Sequence, residues 1–179
     1  MKLALGIGSF EQHMLNSTKY LNTITEYNIL VITDEFLPNK YTMPTFLTDK
    51  HGHVIQSFDT FFHTFDFELV MSTYTRCVVF IGIGGGYSTT VLQKILANSS
   101  SKSRKKLFII AVRPFDFEGK NKHLCAKEME RTFHKLDVQH KIFSDRNLIH
   151  DCMHQDINTY MDGFYKMLYE AIPREKECR

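Results

Sequence analysis

The stretch "RCVVFIGIGGGYSTT", Arg76 to Thr90, decides the fold. Arg76 to Ile83 is a nearly unbroken apolar run, the pattern of a parallel strand buried on both faces. Four glycines then crowd into five residues, at Gly82, Gly84, Gly85 and Gly86. Beyond them Val91, Leu92, Ile95 and Leu96 recur at helical spacing. A strand, a glycine turn and a helix in this order bring backbone N–H groups and a helix N-terminus close to an anionic oxygen. Three successive glycines are costly in folding entropy, so a purely structural turn has little use for them all. Ser88, Thr89 and Thr90 can cap the helix or donate hydroxyl hydrogen bonds to a phosphate, and both readings can hold together.

Outward from this unit the chain alternates apolar runs with helical periods, which predicts an α/β domain. The expected architecture is a mostly parallel, Rossmann-like sheet with helices on both faces. Leu3 to Ile7, Tyr27 to Thr33, Leu107 to Val112 and Val138 to Ser144 read as further strands. Met14, Leu21 and Ile24 share one helical face between the first two. Phe58, Phe61, Phe62, Phe65 and Leu69 have the spacing of one amphipathic helix, and Cys125, Met129, Phe133 and Leu136 that of another. Ile157 to Ala171 keep the pattern over almost four turns before Pro173, predicting a long terminal helix over residues 154–172 of a single domain, 1–179. "DEFLPNKYTMPTFLTDKHGH", from Asp34, loses all period and reads as a long loop that could carry a hairpin.

Composition narrows the function classes. The chain has 179 residues, 43% apolar and 23% charged, with fifteen Phe and no Trp, which fits one ordinary globular domain with a Phe-rich core. A net charge of +2 is too small to argue for a nucleic-acid partner or a membrane surface, and no nucleic acid is expected. No stretch approaches the roughly 20 apolar residues of a spanning helix, and the start is too soon polar for a signal peptide, so no membrane insertion and a cytoplasmic location are expected. The basic run "SKSRKK", Ser101 to Lys106, reads as a solvated loop. Four scattered cysteines fit reduced thiols. "HDCMH", His150 to His154, lacks a matching second pair of ligands, so no metal site is expected.

In such a sheet, ligands bind outside the carboxyl ends of the strands. Two further loops lie there. "GIGSFE" places Gly6 and Gly8 as the start of a dinucleotide fingerprint, but Glu11 takes its third glycine position; a tight strand-to-helix turn explains it equally. "RPFDFEGKNK" places Glu118 and Lys122 where they could meet sugar hydroxyls or a phosphate edge, and a helix start with an acidic first turn explains them too.

Taken in order, the three loops resemble the FtsZ and tubulin family of GTPases, the FtsZ branch more closely. "GIGGGYSTT" is similar to that family's "GGGTGTG"-type signature, and "PFDFEGKNK" to its "PFxFEGxxR". "VITDE" (Val31 to Glu35) resembles its second strand, and "FSDRNLI" (Phe143 to Ile149) the segment leading to its central helix. The resemblance implies GTP or GDP as ligand, with Mg2+ accompanying a triphosphate. It assigns phosphate contacts to Gly84, Gly85 and Gly86, ribose contact to Glu118, and guanine recognition to Asp162 on the last helix. Lys122 stands where the family usually has arginine, which keeps the charge and loses the planar fork. Tyr87 to Thr90 replace "TGTG", and Ser9, Phe10 and Glu11 replace glycines of the first loop, with bulk and negative charge that weaken triphosphate binding.

The sequence ends at Arg179, just after the helix that in the family leads to a catalytic loop and a second domain. The expectation is a guanine-nucleotide-binding domain with little or no hydrolysis of its own and no catalytic residues, which could cap or modulate filaments of a full-length FtsZ-like protein. A different class remains open: a degenerate interaction module that binds no nucleotide. A small enzyme acting on another nucleotide ranks behind both, since no Ser/His/Asp or Cys/His set is recognisable.

Overall fold

The computed structural model describes residues 1–8, 14–15, 24–34, 42–44, 47–48, 54–56, 61, 65–144 and 156–173. The strands are β1 (Lys2–Ile7), β2 (Tyr27–Thr33), β3 (Thr42–Pro44), β4 (Leu47–Thr48), β5 (Val54–Gln56), β6 (Arg76–Gly82), β7 (Leu107–Val112) and β8 (Gln139–Phe143). The helices are α1 (Phe67–Thr73), α2 (Gly86–Asn98), α3 (Ser101–Arg104), α4 (Lys120–Lys135) and α5 (Ile157–Glu170). Six strands form one sheet in the order β3-β2-β1-β6-β7-β8, every pairing parallel. β4 and β5 make a separate antiparallel pair, β4 within the expected long loop and β5 directly after it, while β3 adds a strand in that loop that the lost period concealed.

The period-2 geometry of the strands divides the core in two. Leu3, Leu5 and Ile7 of β1, with Val79 and Ile81 of β6, face α1, α2 and α4. Ala4 of β1, with Val78 and Phe80 of β6, faces Met14, Leu15 and α5. Helices therefore cover both faces, as the alternating pattern predicts. Each large side chain so buried contributes about 1.5–3 kcal/mol. On the second face the Tyr169 ring packs tilted at 53° and 5.9 Å from that of Phe80, and its hydroxyl donates to the Met14 carbonyl at 3.2 Å, so a buried phenol keeps a partner.

Two helical expectations need correction. The Phe58 to Leu69 stripe is not one helix, because Asp66 has extended backbone and caps α1, its carboxylate accepting from the Leu69 N–H at 3.0 Å. The phase restarts there, so Phe67 and Met71 are buried while Leu69 is 67% exposed. Phe61 is buried and stacks 5.1 Å from Phe65; Phe58 and Phe62 lie outside the described residues. In α4 the buried stripe is Ala126, Met129 and Phe133, with Cys125 exposed.

The basic run is also more than a solvated loop. Ser101 to Arg104 form the short helix α3, capped by Ser100, whose hydroxyl accepts from the Ser103 N–H at 3.1 Å. Glu68 accepts from Ser100 N–H at 2.6 Å and Ser103 hydroxyl at 2.9 Å, while Lys106 donates to the Met71 and Tyr74 carbonyls at the end of α1. Lys106 thus satisfies orphan carbonyls at a helix C-terminus.

Candidate functional site

Register aligns the carboxyl ends of the central strands: Ile7 pairs with Ile32 and Ile81, and Gly82 with Val112. The chain leaves β1 toward β2 on one side, while β6 and β7 lie on the other, so the sheet changes direction at the β1–β6 boundary, where α/β sheets open a ligand crevice. A cleft of about 400 Å³ sits there. It is lined by Gly8 after β1, Asp34 after β2, the Gly82 to Ser88 loop and the Arg113 to Lys122 segment, with Phe164 of α5.

The three adjacent glycines have different jobs. Gly84 is buried with φ +99°, and a Cβ on it would meet the Lys122 carbonyl oxygen at 2.5 Å and the Pro114 ring at 2.7 Å. Its N–H donates to the Thr89 hydroxyl at 3.0 Å, so Thr89, itself buried, closes the loop from inside. Gly84 therefore lets the glycine loop seat against the first turn of α4. Gly85 and Gly86 instead line the cleft. Gly85 caps α2 with φ −72°, and no side chain takes the capping position. Among the described residues, a Cβ on Gly86 meets nothing within 4 Å, and one on Gly85 meets the Ser88 hydroxyl at 3.3 Å.

The remaining expected residues separate in the same way. Gly8 lines the cleft with φ 118°, its N–H donating to the Ile32 carbonyl at 2.9 Å. Gly6 sits inside β1, paired with Val31 and Phe80, and serves the sheet. Ser88 lines the cleft, but its hydroxyl donates to the Gly82 carbonyl at 2.7 Å. Glu118 and Lys122 both line it and bind each other, Nζ to Oε2 at 2.5 Å, while Oε1 of Glu118 accepts from the Phe115 N–H at 2.9 Å. Burial works to raise the Glu118 pKa, but the hydrogen bonds from Lys122 and Phe115 and the nearby positive charge outweigh it and hold the carboxyl below its ordinary range. Asp162 is half-buried on α5 and is not among the described residues that line the cleft; α5 contributes Phe164, about 200° further round the helix.

The sequence reading passed over Arg113. It opens the "RPFDFEG" loop, lines the cleft, and makes a two-pronged bond to Glu130 of α4, Nε to Oε1 at 2.6 Å and a terminal nitrogen to Oε2 at 2.7 Å. That bond to Glu130 raises the guanidinium pKa against the smaller opposing effect of burial. Its position directly after a strand was a signal, but its partner was not. Tyr87 is half-buried, lining the cleft on one side and packing against the α1, α2 and α4 core on the other. "HDCMH" and residues 145–149 lie outside the described residues, among which no cluster of three metal-ligating side chains occurs.

No protein-family model and no curated protein matches the sequence. Solved structures do match the fold. FtsZ from M. jannaschii, solved as an empty dimer, superposes with a TM-score of 0.68 at 12% identity, over 95% of this chain and 53% of that one. CetZ1 from Haloferax volcanii, a GDP-bound monomer, gives 0.64 at 13%, over 98% and 62%. TubZ from Clostridium botulinum phage c-st gives 0.63 at 12%, over 94% and 58%. The molecule has the FtsZ and tubulin type of α/β fold, as the three loops predicted. It spans about half the length of the chains it matches. Among the described residues no helix is long and apolar enough to cross a membrane.

Proposed function

We propose that the chain is a guanine-nucleotide-binding domain that holds its ligand in the cleft at the β1–β6 boundary. The observation that carries this reading is the contrast among the glycines. Gly84 is required by the protein's own packing, whereas Gly86 has open space at the Cβ position among the described residues; Gly85, the N-cap, has an ordinary φ of −72° and only the Ser88 hydroxyl, at 3.3 Å, near a Cβ. A glycine in the first turn of a helix costs up to about 1 kcal/mol relative to alanine. Where the fold does not need it, the glycine keeps the backbone bare for a ligand that approaches closely, and the start of α2 supplies the N–H groups that suit phosphate. A cleft of about 400 Å³ lies within the size range of small-molecule sites. Glu118, kept ionised, suits a sugar's hydroxyls as an acceptor.

In this reading Gly8, Gly85 and Gly86 lie against phosphate, and Glu118 with Lys122 against the sugar. Gly6, Gly84, Thr89 and Ser88 shape the loops. Asp162 would read guanine only from the side of α5 away from Phe164, so it is the weakest member of the set. In this reading the function is binding: Glu118, held ionised by Lys122 and the Phe115 N–H, serves as an acceptor for the ligand. Modulation of an FtsZ-type filament is the extension of this reading, tested by titrating the protein into an assembling full-length FtsZ.

Calorimetry of the purified chain with GDP and GTP tests the proposal. Saturable binding of either, lost on Gly86→Val with the circular dichroism spectrum intact, supports it. Absence of binding to both overturns it in favour of an interaction module.

A further inference from the structure

We infer that the cleft selects a nucleoside diphosphate over the corresponding triphosphate; this rests on the nucleotide-binding reading above. The argument starts from the charges in the cleft. Four described side chains of the acidic and basic types line it: Asp34, Arg113, Glu118 and Lys122. Each cation is already paired with a carboxylate. Lys122 is bound to Glu118 at 2.5 Å, so neutralising a phosphate with it would release Glu118 as a second negative charge beside the ligand. Arg113 is turned to Glu130 by a fork of two bonds at 2.6 and 2.7 Å, a geometry that is strong as well as directional. Glu130 lies on α4 with its side chain only 16% exposed, so breaking the fork would strand a poorly hydrated carboxylate. Asp34, exposed after β2, adds a further negative charge to the lining.

Favourable contacts to phosphate come instead from neutral groups, the bare backbone of Gly85 and Gly86 and the start of α2. The dipole at a helix start acts over the first turn and is equivalent to about half a charge. That is enough to favour the phosphates nearest the loop. A third phosphate adds at least one more negative charge, with no uncommitted cation among the described residues that line the cleft to meet it, beside Asp34 and Glu118. In a partly enclosed site such like-charge repulsion is screened less than in water. Discrimination therefore lies in the ion pairs and not in the size of the cleft.

The test is calorimetric titration of GDP and GTP into the full chain at low ionic strength, with and without Mg2+, repeated on Glu130→Gln. Without Mg2+, GDP should bind at least five-fold more tightly than GTP, and Mg2+, by neutralising the added charge, should narrow the ratio. Glu130 does not line the cleft, and its amide variant releases Arg113 toward the ligand. In that variant GTP affinity should rise more than GDP affinity, shrinking the ratio by about three-fold or more. Equal or tighter GTP binding by the unmodified chain without Mg2+ overturns the inference and leaves the nucleotide-binding reading intact. A ratio unchanged in folded Glu130→Gln overturns the role given to the Arg113 fork. Failure of both nucleotides to bind overturns the underlying reading and this inference with it.

Discussion

Gly84 and Gly86 lie two positions apart in one loop and show what a glycine cluster does not tell by itself. Gly84 has a left-handed backbone and the Lys122 carbonyl against its missing side chain, so the fold requires it. Gly86 is the first residue of α2, with open space where its Cβ would stand among the described residues. One glycine joins two parts of the protein, and the other leaves a surface bare. On the proposed reading, the difference separates stability from binding within a single loop.

Gly84→Ala should have the largest effect. It combines strain at φ +99° with a main-chain collision, and neither neighbour is a flexible side-chain end. A loss of about 2–4 kcal/mol is expected in urea unfolding. A loss under 0.5 kcal/mol would mean that the loop and α4 are not locked together. Gly86→Ala is the inverse case. Unfolding should show no loss and a gain of up to about 1 kcal/mol, since alanine favours the helix. Nucleotide affinity should fall about ten-fold, roughly 1.4 kcal/mol. If stability falls and affinity holds, the two glycines have exchanged roles and the contrast is wrong.

The smallest effect concerns the α4 turn that seats on Gly84. Glu118 has its folded pKa below its unfolded value of about 4.3. Its contribution is therefore present above that pH and is lost as the pH falls through the folded pKa. Because Lys122 is half-exposed, the i,i+4 pair itself is a matter of a few tenths of a kcal/mol. Melting temperatures between pH 7 and pH 3 should fall less steeply at the acid end for Glu118→Gln than for the unmodified chain. Identical slopes would show that the pair does not stabilise the turn.

The strands were legible because buried parallel strands are continuous apolar runs; Tyr27–Thr33 and Leu107–Val112 appear with the boundaries their residues predict. The helix before β6 was misread because one capping carboxylate, Asp66, resets the phase, and a stripe of phenylalanines carries no sign of that. At the site, the position of the glycine loop was legible while its division of labour was not. What Gly84 does depends on a carbonyl brought against it by α4, and what Arg113 does depends on Glu130, 17 residues away on another element. Asp162 shows the same limit. Its residue type suits guanine, but whether it faces the cleft is set by the rotation of α5, which Phe164 and Leu168 fix by packing on the sheet.

The seat of the Lys122 carbonyl on Gly84 is main chain on both sides. It does not depend on which side chain position 122 carries, so a substitution there would alter the charge chemistry without loosening the joint. The glycine loop and the first turn of α4 are thereby held like the set jaws of a gauge. On the proposed reading, a ligand gripped at both ends is measured against a span that the backbone fixes in advance, and side-chain changes along the rim can retune affinity while leaving that span untouched.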